Sequence, residues 1–433
     1  MRLSKARIRM YRSIRDTGEF EIENGKTILV GPNEAGKTVI LQALQQLNKP
    51  NDIGGFEALR DYPRSEYDDI KRGVVDPAKV TVVEGCFTPE QGDFEGLPSG
   101  YEDCTYVLGR NLDNSAWHRI DGGPTAPTYG ALVKDLTRLC AHVEARKQSE
   151  EPAPSAALAG VTTDWTDSTI VNGERAGKLK DWLESVLPLI DEASEAEEKR
   201  YDNLRAACKV GEDRAAALKH LEKRVPLFVL FNNYFRVRPR IHLAHLAQRV
   251  ASGVLDDEEY DYGNVCLLKL LGFTAQELAD IGNTPQPNAG DAVALKTYKD
   301  NLDSRGYQLN AASVKLTQEI VSVWNPNPDR PEADRLRIQA DGQYLKVVVE
   351  DELGVEIELD QRSEGFQWLV SFFVVFFAEA AEKHKNAILL LDEPGLHLHG
   401  LKQRDFRETI SRLAAKNQTL YTTHSPLSTA IKN

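Results

Sequence analysis

The stretch that most constrains this chain lies near its N-terminus and reads Gly31-Pro32-Asn33-Glu34-Ala35-Gly36-Lys37-Thr38. Its spacing, GxxxxGK[ST], is that of a phosphate-binding loop (P-loop), whose backbone N–H groups surround a nucleotide's phosphates. In such a loop the lysine reaches the β and γ phosphates and the threonine hydroxyl binds Mg²⁺. At ordinary residue usage, chance produces this pattern in roughly one or two per cent of chains this long. The loop therefore predicts ATP and Mg²⁺ as ligands.

The flanking sequence predicts a strand before this loop and a helix after it. Residues 27–30 are β-like and run directly into the first glycine, and the apolar residues after the loop recur at helical spacing: Ile40, Leu41, Leu44 and Leu47. A helix beginning at the loop directs the positive end of its dipole at the phosphates. The local sequence thus supplies the setting that a P-loop needs.

A second motif lies far along the chain, where an apolar run over residues 388–391 ends in Asp392 and Glu393. This is the form of a Walker B strand, in which the first acid joins Thr38 at Mg²⁺ and the second orients or deprotonates the attacking water. The alternative is an ordinary buried strand that ends in two solvated acids. Its pairing with a P-loop favours the catalytic interpretation.

Two weaker signals accompany these motifs. Ser363-Glu364-Gly365 precedes a nearly all-apolar helix over residues 366–381, where free N–H groups suit a second phosphate contact. Taken alone, it is an ordinary helix N-cap. His424 follows a β-like segment over residues 419–422, which places it at the carboxyl end of the sheet, where such folds bind ligands. There it could sense the γ-phosphate, and the alternative is a histidine in a surface turn before Pro426.

Composition narrows the candidate partners and the cellular setting. The 433 residues suffice for two or three domains, and the net charge of −13 argues against a surface that coats nucleic acid. A DNA contact would need a local basic patch, for which Arg236, Arg238 and Arg240 beside Tyr234 and Phe235 are candidates, although a solvated turn is the favoured alternative.

Five scattered cysteines indicate reduced thiols, and no apolar run reaches the ~20 residues of a membrane span. We therefore expect a cytoplasmic protein without a membrane partner.

The pattern of segments predicts an α/β fold with helices packed on a parallel sheet. Residues 1–150 are expected to form an N-terminal ATPase lobe that contains the P-loop. Residues 151–335 read as a helical insertion that could serve as a dimerisation arm, and residues 336–433 as a C-terminal ATPase lobe. The second lobe is expected to open with a hairpin around residues 352–354 and to include a helix over about 401–415.

Taken in order, these elements resemble the ATP-binding-cassette (ABC) ATPases, and within them the SMC-like branch that splits its head around an inserted arm. The separation of 355 residues between Lys37 and Asp392 fits such a split head. The opening segment Ile8-Arg9-Met10-Tyr11-Arg12-Ser13-Ile14 is similar to the N-terminal strand and "FRS" segment of that branch. The resemblance implies that Arg12 and Ser13 contact the nucleotide and that the head has a mixed sheet.

More narrowly, the chain resembles the ATPase part of the OLD (overcoming lysogenization defect) family endonucleases. Residues 393–399 are similar to that family's Walker B and D-loop run, and residues 421–426 to its switch-histidine segment. The resemblance implies a homodimer that sandwiches two ATPs, each P-loop facing the partner subunit's Ser363-Glu364-Gly365. It also implies ATP hydrolysis that controls a DNA nuclease activity, in anti-phage defence or DNA processing, with DNA and a separate nuclease or Toprim domain as candidate partners.

The chain departs from the OLD pattern in two respects. The segment that corresponds to the family's signature motif, Ser363-Glu364-Gly365, lacks the usual second glycine after Gly365. In addition, nine residues follow His424, whereas family members continue into a Toprim nuclease domain. We therefore expect an ATPase without a recognisable nuclease domain. The alternatives are an ATP-sensing scaffold with slow turnover that assembles a separate effector, and an SMC-like DNA-repair ATPase.

Overall fold

The computed structural model describes most of the chain as two compact units. It leaves out residues 33–34, 52, 147–152, 192, 232–236, 254–257, 284–286, 289, 324–334, 351–352, 363, 381–386, 395–409, 412–413, 416 and 425–433. One unit comprises residues 1–5, 84–110 and 115–225; the other comprises residues 6–83, 111–114 and 226–433. The P-loop and the Walker B strand both belong to the second unit.

The N-terminal strands form a six-stranded sheet in the order β2-β1-β5-β6-β7, with β3 paired to β1. Its strands are β1 (Arg2–Tyr11), β2 (Ile14–Asp16), β3 (Phe20–Glu21), β5 (Thr81–Thr88), β6 (Thr105–Asn111) and β7 (Ala116–Asp121). The pairs β1–β2 and β6–β7 are antiparallel. The buried residues of β5 alternate over much of its length, as expected for a strand with one face toward a core.

The first unit contains a cluster of helices, α4 (Tyr129–Arg146), α5 (Pro154–Thr162), α6 (Gly173–Val186) and α7 (Glu195–Glu222). On α4 the buried apolar residues recur every three or four positions, which places them on one face of the helix. They share a core with residues of α6 and α7: Leu136, Leu139, Val143, Leu179, Leu183, Leu204 and Cys208. This periodicity explains why the segment folds as packed helices.

A four-stranded parallel sheet in the second unit positions the candidate site. Its order is β4-β14-β13-β8, from β4 (Lys26–Val30), β8 (Leu227–Phe231), β13 (Ala387–Leu391) and β14 (Thr419–Thr423). Every residue of β8, β13 and β14 is buried, as expected of parallel strands covered on both faces. Helix α1 (Lys37–Gln45) packs against β8, β13 and β14, and α12 (Glu364–Ala380) packs against β8.

The rest of the second unit joins helices to a small antiparallel sheet. The strands are β9 (Arg240–His242), β10 (Arg335–Asp341), β11 (Tyr344–Glu350) and β12 (Glu356–Glu358). The helices are α2 (Ala58–Asp61), α3 (Tyr67–Lys71), α8 (Leu243–Ser252), α9 (Glu258–Leu271), α10 (Ala275–Asn283) and α11 (Ala292–Val323). Three aromatic rings, Phe231, Trp368 and Phe372, pack with centroids 5.1 to 5.5 Å apart in the core beside β8.

The α/β class is confirmed. So are the strand before the P-loop, the helix after it, the hairpin of β11 and β12, and the apolar helix α12. Residues 151–335, expected to be a helical insertion, contain helices α5 to α11 and also the strands β8 and β9. The run Leu227–Phe231 is apolar throughout and has no periodicity, so its strand conformation depends on pairing with β13.

The three-segment division at residues 150 and 335 stays a prediction, and the compact units cut the chain elsewhere. Most of the helix predicted over 401–415 lies outside the described residues. Among the helices that the structure describes, none combines the length and the apolar character needed to cross a bilayer.

Candidate functional site

The P-loop joins β4 to α1 through a left-handed residue. Gly36 has φ +83° and is the N-cap of α1. A Cβ at this position would lie 3.6 Å from Oγ of Ser13 and 3.5 Å from Cγ1 of Ile14, so the segment after β1 packs against the loop. Glycine is needed here because an L side chain is strained at this φ. Asn33 and Glu34, two of the predicted ligands, lie outside the described residues.

The ammonium group of Lys37 lies at the centre of the loop. The side chain is 8% exposed, and Nζ donates to the carbonyl oxygens of Gly31 at 2.9 Å and Pro32 at 2.8 Å. Nζ also lies 3.2 Å from Nε2 and 3.3 Å from Nδ1 of His424. The loop thus holds a positive charge at the position where a P-loop lysine meets phosphates.

Thr38 and Asp392 meet directly, although 354 residues separate them. The threonine hydroxyl lies 2.9 Å from Oδ1 and 2.8 Å from Oδ2 of the aspartate. Thr422 donates its hydroxyl to Oδ1 at 2.7 Å, and the Asp392 backbone N–H donates to the carbonyl of Phe231. One hydroxyl and one fixed carboxylate are oxygen donors of the kind that Mg²⁺ prefers, with phosphates and water completing its shell. The residues therefore fit a magnesium ion.

Glu393 adopts a rare backbone conformation, with φ +48° for a non-glycine residue. Its N–H donates to the hydroxyl oxygen of Thr422 at 2.7 Å, and its carboxylate oxygen Oε1 contacts Nε2 of His424. Such a conformation costs on the order of 1 kcal/mol or more, and residues held in this way cluster at functional sites. The turn after β13 directs this carboxylate to the same cluster as Lys37.

Arg12 links β1 to the P-loop helix. It has φ +50°, and its Nε donates to Oδ1 of Asp61 at 2.8 Å while Nη1 donates to Oε1 of Gln42 at 2.6 Å. Gln42 lies on α1, about one turn beyond Thr38. The guanidinium also lies 5.1 Å from the ring centroid of Tyr11, whose pKa is raised to about 12 chiefly by burial. The structure therefore ties Arg12 to the helix that follows the phosphate loop.

The predicted signature is less fully described. Ser363 lies outside the described residues, and Gly365 is buried in the first turn of α12, which packs against α9 and β8. Gly365 takes no part in the hydrogen bonds that link Lys37, Asp392 and His424. The structure therefore brings together the loop, the Walker B acids and the histidine, and it does not bring Gly365 into that cluster.

The candidate basic patch is also only partly described, because residues 234–236 lie outside the described part. The side chain of Arg240 forms an ion pair with Glu358, and the backbone N–H of Arg238 donates to Oδ1 of Asn264 at 3.1 Å. The Arg240 charge is thus already compensated.

Sequence reasoning missed three residues of the site, Thr422, Asp61 and Gln42. The parallel register pairs Leu391 with Tyr421, which places the following Thr422 beside Asp392. A threonine near the carboxyl end of a buried strand, at the same end of the sheet as the Walker B acids, was the available signal for Thr422. Nothing local marks Asp61 or Gln42, because both act through long-range contacts with Arg12.

Residues 292–427 match the family model described as "AAA ATPase domain". This stretch of the chain is similar to an AAA ATPase domain. The matched stretch contains Gly365, Asp392, Glu393 and His424, whereas the P-loop lies far upstream of it. The parallel sheet β4-β14-β13-β8 joins that stretch to β4, the strand that precedes the P-loop.

One curated protein, "Uncharacterized protein MJECL43" of Methanocaldococcus jannaschii, is 32% identical over 68 residues, which is 15% of this chain. The match spans 18% of that relative's length. Three solved structures are similar at 11% identity, and each alignment covers 99% of this chain. The first is an SmcHead bound to the C-winged helix domain of ScpA, with a TM-score of 0.37 and 91% of that chain covered. The second is the SMC head domain from Thermotoga maritima, with a TM-score of 0.34 and 91% covered. The third is an Smc head domain with an extended coiled coil bound to the C-terminal domain of ScpA derived from Pyrococcus furiosus, with a TM-score of 0.36 and 90% covered. These TM-scores are too low to define a shared function.

Proposed function

We propose that this protein binds ATP together with Mg²⁺ and hydrolyses it. The observation that carries the proposal is the contact between the Thr38 hydroxyl and both carboxylate oxygens of Asp392, at 2.9 and 2.8 Å. A P-loop and a Walker B acid that meet in this way provide one site for a metal ion and the phosphates beside it. When bound, Mg²⁺ would polarise phosphoryl oxygens and neutralise the charge that develops on them.

The other residues take complementary roles in this proposal. Backbone N–H groups of the loop surround the phosphates, and Lys37 exchanges its contacts with the Gly31 and Pro32 carbonyls for phosphate oxygens. Glu393 orients the attacking water and accepts its proton, and His424 senses the γ-phosphate. The contact between the Glu393 carboxylate and His424 supports a coupled action of these two side chains. Arg12 and Ser13, which lie against the loop and its helix, contact the nucleotide.

We further propose an OLD-type ABC ATPase that acts as a homodimer. The partner subunit's Ser363 and Gly365 would face each P-loop. The order of the motifs supports this assignment. The position of Gly365 also supports it, because this residue lies outside the cluster around Lys37 and is left to face the P-loop of a partner subunit. ATP would then close the dimer and control a DNA nuclease activity in anti-phage defence or DNA processing, with DNA and a separate nuclease or Toprim domain as partners. The five scattered cysteines support a cytoplasmic location.

The test is ATP binding and steady-state hydrolysis by the wild type and Lys37→Ala. Loss of the lysine removes the charge that meets the β and γ phosphates, so turnover should fall by about 100-fold or more and ATP binding should weaken. Lys26→Ala is the matched control, because Lys26 is an exposed lysine of β4 whose Nζ contacts Ser411. The proposal is wrong if neither binding nor hydrolysis of ATP occurs in the wild type, or if both variants behave alike.

A second candidate function is an ATP-sensing scaffold with slow turnover. The contact of the Glu393 carboxylate with His424 favours it, because a carboxylate held in this way is less free to accept a proton from water. Measuring turnover with and without DNA distinguishes the two functions, since steep stimulation by DNA contradicts the scaffold. An SMC-like DNA-repair ATPase is the third candidate, and DNA-stimulated turnover in the absence of any nuclease partner would favour it.

A further inference from the structure

A cavity that does not include the P-loop or the Walker B residues lies in the second compact unit, between α10, α11 and the β10–β11 turn. Its volume is about 550 Å³, within the range of small-molecule sites. The apolar part of its wall comes from Ile281, Tyr298, Leu302 and Leu309. The close packing of α10 on the turn helps to shape it, because a Cβ at Gly282 would lie 2.4 Å from the carbonyl oxygen of Gly342. The cavity is thus part of the packed fold.

The side chain that distinguishes this cavity is Arg305 of α11, which is 4% exposed. Its Nη2 donates to the carbonyl oxygen of Gly342 at 3.1 Å, and its Nε is buried without a hydrogen-bond partner. Within the described part of the chain, no carboxylate forms an ion pair with this guanidinium. Burial lowers the pKa of Arg305, yet an arginine stays protonated in proteins. A permanent positive charge is therefore buried here with one neutral acceptor, which is unfavourable unless an anion compensates it.

The other charged residues that line the cavity are already paired. Arg337 forms ion pairs with Glu350 and, at 3.6 Å, with Glu356. Asp341 accepts from Lys346 at 2.7 Å, and this pairing lowers the pKa of the Asp341 carboxyl. Arg305 is thus the charge at this cavity that has no counter-ion among the described residues.

Ser313 is similarly engaged, since its hydroxyl donates to the carbonyl of Leu309 at 2.6 Å and accepts from the N–H of Ile338 at 3.0 Å. Its hydrogen bonds join α11 to β10 and explain why this serine is buried. No such reciprocal pairing explains the burial of Arg305.

We propose that this cavity binds a small molecule through an oxyanion group, phosphate or carboxylate, that pairs with Arg305. A guanidinium presents its donors in a planar fork that matches both groups, and the pairing is stronger in a desolvated site. A cavity of this volume with an apolar wall also holds more than a bare ion, so the ligand carries an apolar or planar body beside its charge. This site is separate from the ATP site proposed above and does not depend on it.

The test uses the full chain with Lys37→Ala, so that the P-loop contributes less to anion binding. Inorganic phosphate, AMP and benzoate are titrated separately by calorimetry, and thermal unfolding is followed in parallel. The three probes distinguish a bare ion, a phosphate with a planar body and a carboxylate with a planar body. We expect at least one of them to bind and to raise the unfolding temperature.

Arg305→Met in the same background is expected to weaken that binding by about tenfold or more, the usual effect of losing a charge-assisted pair. Lys299→Gln is the matched control, because it removes an exposed charge of the same helix that does not line the cavity, and its affinity should stay within about twofold. If Arg305→Met fails to fold, Arg305→Lys takes its place, since it keeps the charge and loses the fork. Absence of binding by all three probes, or equal binding by the Arg305 and Lys299 variants, overturns the proposal.

Discussion

The ammonium nitrogen of Lys37 lies 3.2 Å from Nε2 of His424, and the same histidine nitrogen contacts the carboxylate of Glu393. A P-loop lysine and a residue 387 positions away therefore share one polar cluster. Phosphate oxygens entering the loop would compete for the lysine and so alter what the histidine and the glutamate contact. In the proposed function, His424 would thereby link nucleotide binding to hydrolysis.

Replacing Glu393 by glutamine should separate ATP binding from hydrolysis. The amide keeps the size of the side chain but cannot accept a proton from water, so turnover should fall by about 100-fold or more while ATP affinity is retained. Steady-state hydrolysis and equilibrium binding measure the two effects. With ATP present, light scattering should show a trapped dimer.

Glu21→Gln serves as control for this change, because Glu21 is an exposed residue of β3. Turnover by Glu393→Gln at the wild-type rate would exclude this residue as the base. A variant that stays monomeric with bound ATP would contradict the proposed closure of two subunits.

Thr422 is expected to act as a positioning residue for the Walker B acids. Its hydroxyl donates to Asp392 and accepts from the N–H of Glu393, each at 2.7 Å. Thr422→Val removes both contacts with little change in volume, so kcat should fall about tenfold or more, as misplaced catalytic groups do, with a smaller change in KM. Thr422→Ser keeps the hydroxyl and should restore most of kcat. Equal loss in the valine and serine variants would indicate a packing role instead.

The buried carboxylate of Asp61 should contribute measurably to stability. It accepts from Nε of Arg12 at 2.8 Å and from the N–H of Glu57 at 2.9 Å, and its side chain is 6% exposed. Asp61→Ala leaves both donors without this acceptor and should lower the free energy of unfolding by about 2 kcal/mol.

Asp16→Ala is the matched control for Asp61, because Asp16 pairs with Arg7 in a similar way but both side chains are about 40% exposed. Water replaces such a surface pair at little cost, so the loss should stay below about 1 kcal/mol. Urea unfolding of both variants measures the difference. Equal losses would contradict a special role for the buried pair.

The thiol of Cys208 should resist alkylation. Burial, with a smaller contribution from Glu212, raises its pKa to about 12, and the side chain is fully buried in the helical core of the first unit. Because the thiolate is the reacting form, its fraction at pH 8 is only about one in ten thousand and should rise roughly tenfold per pH unit. Mass spectrometry after iodoacetamide treatment should show Cys86, which is half-buried, reacting first. Labelling of Cys208 as fast as Cys86 would contradict this.

The elements of the site that are contiguous in sequence were the ones that could be predicted. The P-loop, the apolar strand before Asp392 and the segment before His424 each follow from spacing and polarity within about ten residues. By contrast, β8 was missed because its run of five apolar residues lacks periodicity, and its strand conformation comes from pairing with Ala387–Leu391.

By itself, the sequence determined that this chain has a phosphate loop between a strand and a helix, and that two acids end a buried strand far downstream. Both features can be recognised from short stretches of sequence, because each depends on residues that are neighbours along the chain. Only the tertiary structure decided that Thr38 meets Asp392, that Thr422 supports both Walker B acids, and that Arg305 is buried without a counter-ion among the described residues. These relationships depend on strand register and side-chain packing between distant segments, which no local pattern encodes.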